Sequence, residues 1–262
     1  MDLDHIRRIA VAAAQEGAAA LHSYLGRLSE IQKKSPTDLV TEADKASENR
    51  ILETIRSAFP DHRILAEESG TNGASTHMQW IVDPLDGTTN FAHELGVFSV
   101  SVAFEMDGEV VVGVVLDPLR GELFWSTAGD GAWLNNRRVF VSQTGTVADS
   151  LLVTGFPYNF QEELEAIMSR FTNCLKAAQG MRRLGSAALD LCYVACGRFD
   201  GFWEQELKAW DTAAGMLIAR EAGARITDFQ NRPYAPGDGD LLATNGQIHR
   251  EMMSLMDLKG SA

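Results

Sequence analysis

Two carboxylates three residues apart, Asp83 and Asp86, follow the apolar run Trp80-Ile81-Val82 in the stretch Trp80-Ile81-Val82-Asp83-Pro84-Leu85-Asp86-Gly87-Thr88-Thr89-Asn90-Phe91. With the Leu85 carbonyl between them, these oxygens are hard donors of the kind that magnesium accepts. Gly87 lets the backbone turn closely, and the N–H groups of Gly87, Thr88 and Thr89 are placed to converge at the start of a helix, an array that binds phosphate oxygens. Cation donors beside anion donors suit metal-assisted chemistry on a phosphate ester. Asp-Pro and Asp-Gly are also common turn dipeptides, so these five central residues alone read equally as a surface turn.

The elements that must carry this stretch can be read on either side of it. Trp80–Val82 reads as a short buried strand stopped by Pro84, which has no N–H and biases Asp83 towards an extended backbone. Helical spacing runs from Leu3 to about Leu25, and residues 27–37 form a polar connection. The stretch Asp38-Leu39-Val40-Thr41-Glu42-Ala43-Asp44 opens a second helix, with Thr41 as cap and Asp44 at the capping-box position. Arg63–Ala66 is a strand leading into Glu67-Glu68, and residues 71–77 read as a mobile loop. Phe98–Phe104 and Val110–Leu116 around Asp107-Gly108 give a hairpin signal. With Glu122–Ser126, the turn at Asn135-Asn136 and the run Val139-Phe140-Val141, this block predicts a mostly antiparallel sheet.

Beyond a composition shift at residues 146–150, strands and helices alternate. Strands are expected at Leu151–Thr154, Arg183-Leu184, Gly201–Glu204, Arg225–Thr227 and Leu241–Ala243. Helices are expected over residues 162–175, 185–195, 210–222 and 247–256, the pattern of a layered α/β arrangement. The expected organisation is two tightly fused parts, 1–147 with most of the candidate acids and 148–262 with Glu204 and Asp211.

Composition narrows the function. A chain of 262 residues, 45% hydrophobic and free of low-complexity tracts, can bury a substantial core. A formal net charge of −13 and a pI near 4.9 argue against a nucleic-acid surface. An acidic protein acting on a phosphate needs local cations to offset repulsion. The three cysteines, Cys174, Cys192 and Cys196, fit reduced thiols of a cytoplasmic protein. Cys192 and Cys196 stand four apart on an apolar helical stretch without a third ligand nearby, which favours packing over a metal pair. No basic segment leads an apolar one at the N-terminus and no run approaches a membrane span, so neither a secretory leader nor a membrane is expected. The six histidines are scattered, and no Ser-His-Asp or Cys-His set has convincing context.

Acids recur at element ends: Glu67 after Leu65-Ala66, Asp83 and Asp86 after Val82, and Asp211 after Trp210. Singly, Glu67 also reads as a solvated acid and Asp211 as a helix-terminal residue favoured by the macrodipole. Taken together with Asp38–Asp44, Ala66-Glu67-Glu68-Ser69, the Asp83–Asn90 stretch, Leu184-Gly185-Ser186-Ala187-Ala188, Phe202-Trp203-Glu204 and Trp210-Asp211-Thr212-Ala213-Ala214-Gly215, they fall in an order spanning nearly the whole chain. That order resembles the inositol monophosphatase family of lithium-sensitive, magnesium-dependent phosphatases, which is related to fructose-1,6-bisphosphatase.

The resemblance implies an αβαβα sandwich and a homodimer. It also implies two or three magnesium ions held by Glu67, Asp83, the Leu85 carbonyl, Asp86 and Asp211. Asp44 and Thr88, with Glu67, would orient the attacking water. Gly87 and Thr88 would bind phosphate, and Asp86, Gly185, Ser186, Ala187 and Glu204 would meet a polyol ring. The implied reaction is hydrolysis of a small phosphate monoester, foremost myo-inositol 1- or 4-phosphate, by in-line attack of a metal-activated water. Histidinol phosphate, fructose 1,6-bisphosphate and 3′-phosphoadenosine nucleotides are alternatives within the fold, and a regulatory protein-binding role is the alternative outside catalysis.

Overall fold

The computed structural model of the chain describes residues 2–35, 39–75, 77–158, 160–161 and 163–257. Residues 36–38, among them Asp38 of the N-terminal motif, and residue 162 at the expected start of a helix lie outside that range.

Helix α1 (Leu3–Tyr24) starts where the Asp2 carboxylate accepts the Asp4 and His5 N–H groups. Strands β1 (Ile31–Lys33) and β2 (Leu39–Thr41) form a small antiparallel hairpin before α2 (Glu42–Ala58). The expected capping box is present: Asp44 accepts the Thr41 N–H, and Thr41 Oγ1 accepts the Ala43 N–H. Small residues let the two helices approach closely. A Cβ at Gly17 would stand 2.8 Å from Ile51 Cδ1 and 2.9 Å from Ser47 Oγ.

The chain then builds an eight-stranded sheet from β3 (Arg63–Ala66), β4 (Gly70–Asn72), β5 (Met78–Asp86), β6 (Ser99–Met106), β7 (Glu109–Asp117), β8 (Glu122–Thr127), β9 (Ala132–Leu134) and β10 (Arg137–Val139), with the short helix α3 (Thr88–Ala92) after β5. Its order is β10-β9-β8-β7-β6-β5-β3-β4, and only β3 and β5 run parallel. Within residues 71–77, expected as a loop, Thr71 and Asn72 instead extend the sheet edge opposite Leu65 and Ile64. Residue 76 of that segment lies outside the described residues. The central strand also runs past Pro84. Asp83 faces Ser101 and Asp86 faces Ser99, so the extra residue is absorbed in a bulge, where a missing N–H costs no ladder bond.

The second sheet has the order β12-β11-β13-β15-β14, from β11 (Leu151–Thr154), β12 (Gly180–Arg182), β13 (Gly201–Leu207), β14 (Arg225–Thr227) and β15 (Gly239–Thr244). Register against β11 places β12 just before the expected Arg183-Leu184, which instead lead out of the sheet. Likewise β10 stops at Val139, leaving Phe140 exposed beyond it.

Helices α5 (Ala187–Ala195) and α6 (Ala209–Glu221) pack between the two sheets. Helices α1 and α2 cover the outer face of the large sheet, and α4 (Leu164–Ala177) and α7 (His249–Met256) cover the small one. The result is the expected αβαβα sandwich. The middle layer is apolar nearly all round, as a helix pair covered by sheets on both sides must be. Cys192 belongs to that core, and all three cysteines are free. Gly113 of β7 sets the spacing to α6, since a Cβ there would stand 2.7 Å from the Ala214 carbonyl oxygen.

Candidate active site

Parallel pairing of β3 and β5 determines where the first acids emerge. Ala66 is in register with Val82, so the next residues, Glu67 just past the end of β3 and Asp83 on β5, stand side by side. The Glu67 N–H donates to the Val82 carbonyl at 3.2 Å. From α2, Ser47 Oγ donates to the Pro84 carbonyl at 2.8 Å and pins the bulge. Gly87 turns the chain with φ 98°, a left-handed value, and a Cβ there would meet the Val97 carbonyl oxygen at 3.0 Å. The first N–H groups of α3 have no intrahelical acceptor and face the same end of the sheet.

Asp86 reaches across to the middle layer. Its Oδ2 accepts Ser186 Oγ at 2.5 Å, the Ala188 N–H at 2.9 Å and Ser99 Oγ at 3.3 Å, and its Oδ1 accepts the Ala187 N–H at 3.2 Å. It therefore caps α5 from a hundred residues away in sequence. On α6, Asp211 sits in the first turn and accepts the Lys208 N–H at 2.6 Å. Glu204 comes from β13, and its carboxylate occupies the space a side chain at Gly155 would need, only 2.0 Å from an ideal Cβ there.

These residues line one cleft of about 850 Å³. Glu67, Asp83, Leu85, Asp86, Gly87, Thr88, Gly185, Ala187, Glu204 and Asp211 all face it. Two expected residues stand behind its wall. Ser186 is buried with its hydroxyl on Asp86, and Asp44 is buried behind Thr88. Asp44 Oδ1 lies 3.0 Å from Thr88 Oγ1, which is also 3.0 Å from the Leu85 carbonyl oxygen. A hydroxyl has one proton to donate, so these two acceptors share it.

Seven carboxylate side chains line the cleft against three cations, Lys34, Arg183 and Lys208. Burial pushes Glu67 up to about 7, even though Lys34 pulls it down. Burial carries Asp211 to about 8, with Asp86 and Glu67 adding to the rise, and carries Glu204 to about 8, with Asp211 adding and Arg183 opposing. Asp83 is raised well above the usual carboxylate range, by burial and then by Glu67, Asp86 and Asp211. Asp86 and Asp44 are also raised by burial, although hydrogen bonds to their ionised forms oppose it. Burial opposes the Lys34 charge, but Glu67 and Glu68 outweigh it and raise that ammonium.

A wall of crowded, buried oxygen donors with few compensating charges fits a hard divalent cation. In this arrangement no three His, Cys, Asp or Glu side chains among the described residues converge tightly enough to enclose one ion. The carboxylates are drawn instead to protein donors: Glu67 to Lys34, Asp86 to the start of α5, and Asp211 to the Lys208 N–H.

Several contributors carry little or no sign of their role in the sequence. Ser99 and Ala188 hold Asp86, Gly155 makes room for Glu204, and Lys34, Arg183 and Lys208 line the cleft. The doubled lysine at 33–34, beside an acid motif, was the one visible trace of Lys34.

A layered fold with an acid wall beside the glycine turn that opens α3 points to a class of phosphatase, and comparison with known proteins agrees. Residues 2–258 match the inositol monophosphatase family. The chain is 46% identical over 253 residues to the inositol-1-monophosphatase of Synechocystis sp., covering 96% of this chain and 88% of that protein. It is 43% identical over 249 residues to Nus factor SuhB of Pasteurella multocida, covering 94% and 93%. Among solved structures, inositol monophosphatase from Anabaena superposes with a TM-score of 0.89 at 43% identity, covering 98% of this chain and 96% of that one. Extragenic suppressor protein suhB from Bartonella henselae superposes with a TM-score of 0.92 at 36% identity, covering 97% and 99%. The chain belongs to the inositol monophosphatase family, and it is a phosphoric monoester hydrolase.

Proposed function

We propose that the cleft hydrolyses a small phosphorylated polyol, with myo-inositol 1- or 4-phosphate as the substrate, and that it does so with magnesium. The carrying observation is the buried acid wall beside the start of α3, with Thr88 facing the cleft and Asp44 behind it. Glu67, Asp83, the Leu85 carbonyl, Asp86 and Asp211 would hold two or three ions. When bound, magnesium screens the phosphate charge and lowers the pKa of a coordinated water.

The chain's own groups do the remaining work. The N–H groups of Gly87 and Thr88 bind phosphate oxygens. Thr88 Oγ1 accepts from the attacking water and turns its own proton to Asp44 Oδ1, 3.0 Å away, which fixes the water's direction. Glu67 shares that orienting task. Glu204 and Asp86 accept hydroxyls of the polyol, a pairing that suits carboxylates and many-hydroxyl substrates. Gly185 and Ala187 shape the wall beside them, and Ser186 acts through Asp86. Residues 1–147 and 148–262 work as one fused unit, because Asp86 of the first caps α5 of the second.

Family membership supports three further readings: inhibition by lithium, a homodimer and a cytoplasmic location. The free cysteines agree with the last, and no helix among the described residues is long and apolar enough to cross a membrane. A second reading, a regulatory binding role alongside catalysis, is favoured by relatives that carry the name Nus factor SuhB.

The deciding experiment is phosphate release from a panel of inositol 1-phosphate, histidinol phosphate, fructose 1,6-bisphosphate and a 3′-phosphoadenosine nucleotide, with and without magnesium. Magnesium-dependent preference for inositol 1-phosphate is expected. Preference for another ester moves the substrate assignment, and equal activity in excess chelator overturns the metal requirement.

A further inference from the structure

The strand that brings Glu204 to the cleft carries a second glutamate in an unfavourable conformation. Between the pairs Glu204–Leu241 and Leu207–Gly239, β13 holds one residue more than β15. The extra residue makes a bulge, and within it Glu206 has φ 60°, a left-handed value that suits glycine. A glutamate there costs stability that a glycine would not. Among the described residues, the other non-glycine positions with positive φ are Glu94, Asp107, Asn135 and Asn231. None of those lines the cleft, and Glu206 does.

No contact among the described residues offsets that cost. The neighbouring Gln205 is buried and tied down, accepting from Arg170 Nη1 at 2.8 Å and donating to Glu163 Oε2 at 2.7 Å. The Glu206 carboxylate, by contrast, accepts no hydrogen bond and joins no ion pair among the described residues. Burial raises Asp240, and the Glu206 charge adds to that rise, so the two acids repel. The nearby cations of the cleft serve other acids. Arg183 opposes the burial-driven rise at Glu204, and Lys208 opposes it at Asp211.

A half-buried carboxylate without an internal partner acts on what enters from outside. It accepts from hydroxyl donors and repels a second anionic group. Discrimination by repulsion needs no contact within the protein. We propose that Glu206 is a specificity-determining residue that bars phosphate esters carrying a second anionic group and leaves the cleft to those whose remaining groups are neutral hydroxyls. The inference rests on reading the cleft as a polyol-phosphate site, as proposed above.

The test uses two esters on one carbon skeleton, glycerol 2-phosphate and 2-phosphoglycerate, in which a hydroxymethyl of the first is a carboxylate in the second. The ratio of their kcat/KM values is measured for native protein, Glu206→Gly, Glu206→Gln and Glu94→Gly. Glu206→Gly removes the charge and the left-handed strain together, so folding is retained, and Glu206→Gln removes the charge alone. Glu94→Gly makes the same exchange at φ 56°, on an exposed residue outside the cleft. Both Glu206 variants should shift the ratio towards 2-phosphoglycerate by about five- to twentyfold, the range for one like charge across a partly solvated cleft. Glu94→Gly should stay within about twofold of native, since solvent screens a distant exposed charge. An unmoved ratio in either Glu206 variant, or an equal shift in Glu94→Gly, overturns the proposal. If native protein hydrolyses glycerol 2-phosphate and only the shift is missing, this inference alone fails. If it hydrolyses neither ester, the polyol-phosphate reading fails with it.

Discussion

Asp86 and Glu67 are carboxylates on one wall, yet the protein holds them by opposite means. Asp86 is buried and accepts four hydrogen bonds from the large sheet and the start of α5. Glu67 sits at the rim, with its carboxylate on a lysine from a hairpin outside the main sheets. Donors from two packed layers fix a side chain before any ligand arrives, whereas a partner on a light arm can be exchanged. The interior end of the wall is therefore the preorganised end, and the rim is the adjustable one.

The comparison breaks most visibly at Thr88, which belongs to the interior end. Thr88→Val removes the hydroxyl shared between Asp44 and the Leu85 carbonyl but keeps the phosphate-binding N–H. Turnover should fall ~10²–10⁴-fold with little change in KM, because the lost interaction matters most in the transition state. Asp44→Asn should do the same, and the double variant should be scarcely worse than either single one. Steady-state kinetics on folded variants decides it. Turnover within a few-fold of native makes Thr88 a turn residue only.

Two glycines sharpen the contrast between packing and site. The three atoms nearest a Cβ at Gly155 all belong to the end of the flexible Glu204 side chain, so Gly155→Ala should swing that carboxylate aside. The expected result is a rise in KM of about ten- to a hundredfold, the worth of a hydrogen bond to a charged group, with stability nearly native. A Cβ at Gly113 would meet Ala214 backbone, which cannot move alone. Gly113→Ala should cost about 1–3 kcal/mol of stability in a denaturant titration. Equal behaviour of the two variants would remove the distinction.

The smallest effect is in pH. Glu67, Glu204 and Asp211 have folded-state values of about 7, 8 and 8, above their unfolded values near 4. Across that window the folded state binds more protons than the unfolded state, so stability of the metal-free protein should fall as pH rises from about 4.5 to 8. Magnesium, by favouring the ionised carboxylates, should flatten the slope and raise the melting temperature. Metal-free melting that climbs over this range contradicts the crowded acid wall.

What could be read beforehand was local or repeated. Thr41 and Asp44 form a cap within four residues, the turn at Asp107-Gly108 announces its hairpin, and Asp83 to Thr88 is one continuous stretch. What could not be read depends on distance or register. The bulge at Pro84 exists because β6 continues alongside, and Thr71-Asn72 become strand because β3 offers an open edge. Ser186 resembled a substrate contact, yet its hydroxyl serves Asp86 across the interface between the large sheet and the middle helices. Lys34 reaches Glu67 across thirty-three positions, which no local pattern reports.

The central claim is that the interior acids make the cleft a metal-assisted phosphatase. Its most direct test is phosphate release from myo-inositol 1-phosphate at saturating magnesium by native protein, Asp86→Asn and Asp211→Asn. Asp211→Asn keeps an acceptor for the Lys208 N–H, and Asp86→Asn keeps one for the Ala188 N–H while losing the longer bond from Ala187; each relieves repulsion, so both variants should fold. The account predicts magnesium-dependent release by native protein and a loss of at least ~100-fold in each folded variant. Full activity in either one, or undiminished native activity in excess chelator, would contradict it.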